Sequence, residues 1–189
     1  ATDLHNAADP MLPDMLTSPR AVAVFSPSAT GTPSVAGIGR GPGGQTLPAP
    51  GSLSVFTRST TTANGWQGTP IANANPGRHR WLATGDINRD GFEDLVTIFE
   101  PVGGGTRLQV HVSDGLPDPG FTTATVAADA PDGPIAVIDF DRDGLTDIVT
   151  VSGFYRQLPN GTLQFVSFGA VLGGPGFGPL RGPQPARPP

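Results

Sequence analysis

The sequence lacks cysteine and lysine, and each absence excludes a class of chemistry. Without cysteine there are no disulfides, no thiolate zinc sites and no thiol nucleophiles. All eleven basic residues are arginine, so the chain has neither a P-loop lysine nor a lysine that could form a Schiff base. Stability must therefore come from packing and from any bound metal.

Long apolar runs and helical periodicity are also missing. No apolar run approaches the 18 residues that predict a membrane-spanning helix, and no cluster of arginines forms a patch that predicts nucleic-acid binding. The 27 glycines and 22 prolines instead separate short runs of β-branched and aromatic residues. This pattern predicts an all-β protein with many turns.

Two acidic segments are nearly identical. Residues 85–96 read GDINRDGFEDLV and residues 138–149 read IDFDRDGLTDIV, so both follow the pattern D-x-[DN]-x-D-G-x-x-D. Like charges this close cost roughly 4 kcal/mol per pair at ~4 Å and an effective dielectric of ~20. A hard divalent cation would turn that cost into binding, because oxygens at positions 1, 3, 5 and 9 and the carbonyl of position 7 suit Ca²⁺. Glycine at position 6 permits the sharp turn between these ligands.

An EF-hand or dockerin loop is a competing interpretation. An EF-hand requires a bidentate Glu at position 12 and flanking helices, but position 12 is Thr97 in one segment and Thr150 in the other. The flanking residues 95–99 and 148–151 are strand-like. We therefore predict that each loop is the turn of a β-hairpin. An acidic turn that binds nothing remains the alternative.

The chain reads as three related units. Residues 21–25 and 34–38 look like two strands around a degenerate loop, 26–33, that lacks carboxylates. Turn dipeptides at 64–65, 114–115 and 160–161 predict a tight hairpin in each unit. Four antiparallel strands in about 50 residues is the size of a propeller blade.

These loops resemble the FG-GAP repeats of the integrin α-chain propeller and the similar VCBS repeats of bacterial surface and secreted proteins. The resemblance covers roughly residues 21–168, weakly in the first third, and it implies two structural Ca²⁺ ions. The first would be bound by Asp86, Asn88, Asp90, Asp94 and the Phe92 carbonyl. The second would be bound by Asp139, Asp141, Asp143, Asp147 and the Leu145 carbonyl.

The predicted architecture is a β-propeller-like array of about three four-stranded antiparallel blades. Its predicted divisions are an extended arm (1–20), a repeat without a calcium loop (21–72), two repeats with one (73–127 and 128–172), and a Pro/Gly-rich tail (173–189). Three blades are too few to close a ring. Either the chain is a fragment, or it stacks on a partner, or its ends complete another blade.

No residue pattern predicts an enzyme. There is no G-x-S-x-G motif, and the histidines are scattered, with His79 and His111 expected at strand edges. Glu93 lies inside the first loop and is expected to face solvent. Trp81 is expected in the core, whereas Trp66 follows a turn and is a candidate for stacking on a sugar.

The sequence therefore predicts a non-catalytic, calcium-binding structural or protein-interaction subunit of a larger assembly, with a protein partner or further copies of itself. The alternative is a lectin-like carbohydrate-binding module or a piece of a larger adhesin. Weak extracellular Ca²⁺ modules work at millimolar Ca²⁺, which favours a secreted, periplasmic or cell-surface location. No nucleic acid and no membrane span are expected.

Overall fold

A computed structural model describes residues 17–40, 51–62, 65–72 and 76–169. For residues 17–20 and 40 it describes the backbone only. The predicted tail at 173–189 lies outside the described residues, as do all but the last four residues of the predicted N-terminal arm. Those four belong to the first strand, which begins at Thr17.

The described residues form three four-stranded antiparallel sheets, and none of the sheets closes into a barrel. The first sheet consists of β1 (Thr17–Phe25), β2 (Ser34–Arg40), β3 (Ser52–Arg58) and β4 (Trp66–Pro70). The second consists of β5 (Gly77–Gly85), β6 (Asp94–Pro101), β7 (Arg107–Ser113) and β8 (Phe121–Ala128). The third consists of β9 (Ala136–Ile138), β10 (Asp147–Val149), β11 (Gly153–Gln157) and β12 (Leu163–Ser167).

Within each sheet the strands lie side by side in chain order. Every neighbouring pair is antiparallel, so each sheet is a simple meander. The all-β prediction with four antiparallel strands per unit is confirmed.

Successive residues of a strand point to opposite faces of its sheet, and the second sheet packs against a core on each of its faces. The second sheet therefore lies between the other two. On β6, Leu95 belongs to a core with the first sheet, and its neighbour Val96 belongs to a core with the third sheet. The first core contains Phe25, Ala36, Ile38, Leu53, Val55 and Leu95. The second contains Ile87, Val96, Ile98, Leu108, Val110, Ala130, Ile148 and Tyr155.

We call the face of a sheet that points toward the preceding sheet its back face, and the face toward the following sheet its front face. The first strands of the sheets meet, because β5 contacts both β1 and β9. The approach is close at Gly85, where an added Cβ would lie 2.3 Å from a Val137 methyl group. A side chain at position 85 would therefore push the second and third sheets apart.

The predicted turns occur where expected but are longer than two residues. Residues 59–65, 114–120 and 158–162 connect the last two strands of each sheet, and Asn64 of the first lies outside the described residues. In the second connection, Asp114 Oδ1 accepts hydrogen bonds from the amides of Leu116 (3.1 Å) and Gly120 (3.0 Å). The prediction of tight turns was wrong, and in the second connection this side chain organises the wider loop.

Candidate metal-binding loops

The two acidic loops connect the first two strands of the second and third sheets, as predicted for hairpin turns. Their backbones match at the positions with positive φ. Arg89 and Arg142 at position 4 have φ values of 65° and 64°. Gly91 and Gly144 at position 6 have values of 89° and 84°. The left-handed conformation explains the glycine, since other residues rarely adopt it.

The carboxylate at position 1 organises the loop by accepting hydrogen bonds from backbone amides. In the first loop, Asp86 Oδ1 accepts from Arg89 N (2.6 Å), and Oδ2 accepts from Gly91 N (2.9 Å). In the second loop, Asp139 accepts from the amides of residues 143 (3.1 Å) and 144 (3.0 Å). The same side chain therefore folds both loops around its oxygens.

The carboxylate at position 9 is fully buried in both loops, with Asp94 and Asp147 each 0% exposed. Asp94 Oδ2 accepts from Ile87 N (2.9 Å), and Oδ1 accepts from Ser113 N (3.0 Å). Asp147 repeats this with the amides of residues 140 (3.0 Å) and 157 (2.9 Å). Burial raises the pKa of Asp94, and the two amide bonds act against that rise. This carboxylate joins the loop to the end of the third strand.

Positions 3 and 5 are exposed and hydrogen-bonded within the loop. Asn88 Nδ2 donates to Asp90 Oδ2 (2.6 Å), and Asp90 Oδ1 accepts from Phe92 N (2.9 Å). In the second loop, Asp143 Oδ1 accepts from Leu145 N (2.9 Å). The loops therefore gather their oxygens on one side without burying all of them.

The second loop brings three carboxylates together. Asp139, Asp141 and Asp147 each offer an oxygen, and the three oxygens lie within 4.8 Å of one another. No other such group of three acidic or histidine side chains occurs in the part of the chain that the structure describes. An oxygen-only set of this kind fits a hard cation such as Ca²⁺. At the matching positions the first loop has Asp86, Asn88 and Asp94, with an amide in place of one carboxylate.

Arg156 on β11 contacts the second loop and was not predicted. Its Nε lies 2.6 Å from Asp141 Oδ2, and its Nη2 lies 2.9 Å from Asp143 Oδ2. The hydrogen bond from Arg156 lowers the pKa of Asp143. The register places Val112 of β7 at the position equivalent to Arg156. Only strand pairing reveals this contact, because the arginine lies outside the loop motif.

Glu93 does not simply face solvent, as the sequence had suggested. Its Oε2 accepts a hydrogen bond from Ser26 N (2.6 Å), and its own amide donates to Ser26 O (3.0 Å). The degenerate loop of the first sheet is thereby fastened to the first acidic loop. Glu93 thus connects two units of the chain.

His79 and His111 are buried on the back face of the second sheet, so their predicted place at strand edges was wrong. Thr97 Oγ1 lies 3.0 Å from His79 Nδ1 and 3.0 Å from His111 Nε2, and Thr123 Oγ1 lies 2.8 Å from His111 Nδ1. Burial lowers the pKa of His79 to about 3, with the neighbouring His111 adding to the effect. Burial also lowers the pKa of His111 to about 4. Threonine hydroxyls on adjacent strands make it feasible to bury these neutral rings.

The two tryptophans lie in different sheets, and each contacts another side chain of the protein. Trp81 is 38% exposed rather than in the core, and its Nε1 donates to Asp132 Oδ1 (2.9 Å). Trp66 stacks against the Arg58 guanidinium, which lies 4.3 Å from the ring centroid. Each indole is thus occupied by a charged neighbour within the chain.

A groove of about 610 Å³ lies beside the first loop, between the second and third sheets. No aromatic side chain lines it. The lining residues are Ile87, Asn88, Arg89, Val110, Val112, Ala124, Val126, Gln157, Leu158, Pro159, Gly161 and Leu163. The clustered aromatic residues between sheets that would favour carbohydrate binding are not found in this groove.

No family model, curated protein or solved structure matches the chain. The part of the chain that is described has no helix that is both long and apolar enough to cross a membrane. A function must therefore be inferred from the residues and their geometry.

Proposed function

We propose that the chain is a non-catalytic, calcium-stabilised β-repeat protein that serves as a structural or protein-interaction subunit of an assembly outside the cytoplasm. Calcium would be bound by Asp86, Asn88, Asp90, Asp94 and the Phe92 carbonyl in one loop. It would be bound by Asp139, Asp141, Asp143, Asp147 and the Leu145 carbonyl in the other.

The observation that carries this proposal is the duplicated loop geometry. Both loops have the same left-handed positions, the same position-1 carboxylate holding the turn, and the same buried position-9 carboxylate. In the second loop, three carboxylate oxygens lie within 4.8 Å of one another, and the single positive charge of Arg156 offsets only part of their mutual repulsion. A structural divalent ion accounts for both the spacing and the repetition.

Composition supports calcium over softer metals. The available ligands are carboxylate, amide and carbonyl oxygens, and the chain has no cysteine. Seven of the sixteen acidic residues are aspartates of the two loops, and filling both loops with Ca²⁺ would change the formal net charge from −5 to about −1. The acidity of the chain is thus concentrated where ions would bind.

The arrangement of the sheets supports an array related to a β-propeller. Three four-stranded meanders stack through successive cores, and their first strands contact one another. In a propeller, the corresponding strands line the central channel. A scaffold built this way suits binding to other proteins. The carbohydrate-binding alternative has less support because the groove between the sheets lacks aromatic side chains.

The test is a Ca²⁺ titration by calorimetry, with thermal melting in Ca²⁺ and in chelator. The parent chain should bind two ions and melt at a higher temperature with Ca²⁺. Asp90→Ala and Asp143→Ala should each lose one ion, and the double variant should lose both. Asp118→Ala, which removes an exposed aspartate outside the loops, should bind two ions like the parent.

A melting temperature that is equal with and without chelator, in the parent and in both loop variants, would contradict the calcium proposal. Binding that is lost equally in Asp118→Ala would also contradict it, because general negative charge would then explain the effect. Mg²⁺ serves as a second control, since it demands stricter octahedral geometry than these loops are expected to offer.

A further inference from the structure

Strand register makes positions in the three sheets equivalent. Phe25 pairs with Ser34, Gly85 with Asp94, and Ile138 with Asp147 across the first hairpin of each sheet. Counting from these pairs relates every residue near a loop to its counterpart in the next unit. The two internal interfaces therefore reveal which positions a neighbouring sheet normally covers.

The front face of the third sheet exposes apolar residues at positions that are covered in the second sheet. Ile87 is 6% exposed in the core between those sheets, whereas its counterpart Phe140 is 41% exposed. Ile98 is fully buried, whereas its counterpart Val151 is 53% exposed. The Phe140 ring lies 4.7 Å from that of the buried Phe154, which it covers together with Phe168. This face has the composition of an interface and lacks a fourth sheet among the described residues.

The back face of the first sheet has the matching property. Val24 is 67% exposed, but its counterpart Val137 in the third sheet packs against the second core. Val22 is 40% exposed, but its counterpart Leu82 packs against the first core. Among the described residues, the two ends of the stack therefore each carry exposed apolar side chains: Phe140 and Val151 on the front face, and Val22 and Val24 on the back face.

A polar contact accompanies each internal interface. Ser113 Oγ donates to Pro27 O (2.6 Å), and at the equivalent positions Gln157 Nε2 donates to Ile87 O. By register, Phe140 is equivalent to Pro27 and Ile87, whose carbonyls accept these hydrogen bonds, and it lies on the outer front face. Arg58 is equivalent to Ser113 and Gln157, whose side chains donate these hydrogen bonds, and it lies on the outer back face. The two outer faces thus repeat the carbonyl and donor positions of the internal interfaces, and within one copy the Arg58 guanidinium stacks on Trp66.

We propose that these faces bind each other between two copies of the chain, with the front face of the third sheet of one copy on the back face of the first sheet of the other. The internal interfaces argue for a second copy as the occupant, because both are formed by this same front-to-back contact. The contact is heterologous, so repeated contacts between copies either close into a ring or continue as an open filament. Two copies would place six sheets in one stack. This inference rests on the proposed role as an assembly subunit and names its partner.

The experiment measures the mass of the 189-residue chain in Ca²⁺ by light scattering after size exclusion. The parent should have the mass of two copies or a larger whole-number multiple. Val151→Glu, at a residue outside the metal loop, blocks the front face, and Val24→Glu blocks the back face. Both side chains are exposed within one copy, so the variants should fold and bind two Ca²⁺ ions while running as monomers.

Mixing the two variants gives the decisive result. Val24→Glu keeps an intact front face and Val151→Glu keeps an intact back face, so an equimolar mixture should form a heterodimer through one interface. Leu116→Glu, which changes an apolar residue that is 57% exposed in a turn, should keep the parent's mass.

Three results would overturn the inference. One is a monomeric parent. Another is a parent whose assembly is lost in Val151→Glu but kept in Val24→Glu, since that indicates front faces meeting each other. The third is a mixture that stays monomeric. Ca²⁺ stoichiometry on the same samples separates these failures from failure of the calcium proposal, because a monomer that binds two ions refutes only the assembly.

Discussion

The two acidic loops have the same internal hydrogen bonds but different neighbours. The first loop is covered by the third sheet through Ile87 and has Val112 beside it. In the second loop the equivalent residue, Phe140, is 41% exposed, and Arg156 is paired with two of the loop's carboxylates. Counting the loop ligands and Arg156, both sites carry the same formal charge, because the first loop has an asparagine where the second has a fourth aspartate. Loop shape is thus set locally, whereas charge balance and cover come from neighbouring strands.

The two sheet interfaces differ at equivalent positions as well. The back face of the second sheet places His111 beside Thr123, and the back face of the third sheet places Tyr155 beside Phe165, with ring centroids 5.0 Å apart. One interface therefore contains a titratable polar row, and the other contains an aromatic pair. The same backbone arrangement accommodates both because each buried polar atom in the row has a partner.

The largest effect is expected from removing the buried carboxylate of either loop. Asp94→Ala leaves two buried backbone amides without an acceptor, and Asp147→Ala leaves one buried and one partly buried amide, at a cost of about 1–3 kcal/mol per buried amide. Urea unfolding in chelator should show a loss of roughly 2–6 kcal/mol for each. The loss should exceed that of Asp90→Ala, whose carboxylate is exposed.

Chelator is essential in this comparison, since it removes any contribution of bound metal. If Asp94→Ala were no less stable than Asp90→Ala under those conditions, the buried carboxylate would not be the contact that holds each loop to the end of the third strand.

An intermediate effect is expected from acid, and it distinguishes the two interfaces. The lowered pKa values of His79 and His111 mean that the unfolded chain binds more protons than the folded chain below about pH 6.5. The contribution of these rings is therefore complete above pH 6.5 and is lost as the pH falls toward 4. The free energy of unfolding should decrease by about 1.4 kcal/mol per pH unit for each histidine.

The measurement is urea unfolding between pH 7 and pH 4.5 for the parent and for the double variant His79→Gln/His111→Gln. The carboxylates are common to both proteins, so the difference between their slopes of unfolding free energy against pH measures the contribution of the histidines. Equal slopes would mean that neither ring is held neutral in the folded chain.

The smallest effect is expected from exchanging the residues beside the loops. Arg156→Val removes a cation from the second loop and should strengthen its Ca²⁺ binding severalfold. Val112→Arg adds a cation beside the first loop and should weaken its binding to a similar extent, because a nearby positive charge opposes the ion. Calorimetric titration at low salt measures both changes, and they should shrink as the salt concentration rises.

Single-loop backgrounds make the exchange interpretable. Arg156→Val is measured in Asp90→Ala, and Val112→Arg is measured in Asp143→Ala, so that each titration reports one site. Affinities that do not respond to the added or removed charge would indicate that Arg156 moves away when the ion binds.

Local patterns in the sequence predicted most of the backbone around the loops. The hairpins at 85–94 and 138–147 follow from the spacing of aspartate and glycine, since each bond involved joins residues only a few positions apart. Alternating β-branched runs predicted nearly all the strands for a similar reason. Two short strands, β4 (Trp66–Pro70) and β11 (Gly153–Gln157), were not predicted individually, because neither has a clear alternation of apolar and polar residues.

The sequence by itself determined that this protein is all-β, that its units have four antiparallel strands, and where its acidic loops turn. Tertiary structure alone decided that His79 and His111 are buried, that Trp81 is exposed, and that Arg156 contacts the second loop. It also decided which apolar side chains of the first and third sheets are exposed at the two ends of the described stack. The physical reason is range: turns and alternation depend on neighbours along the chain, whereas burial and charge pairing depend on strands brought together from far apart in sequence.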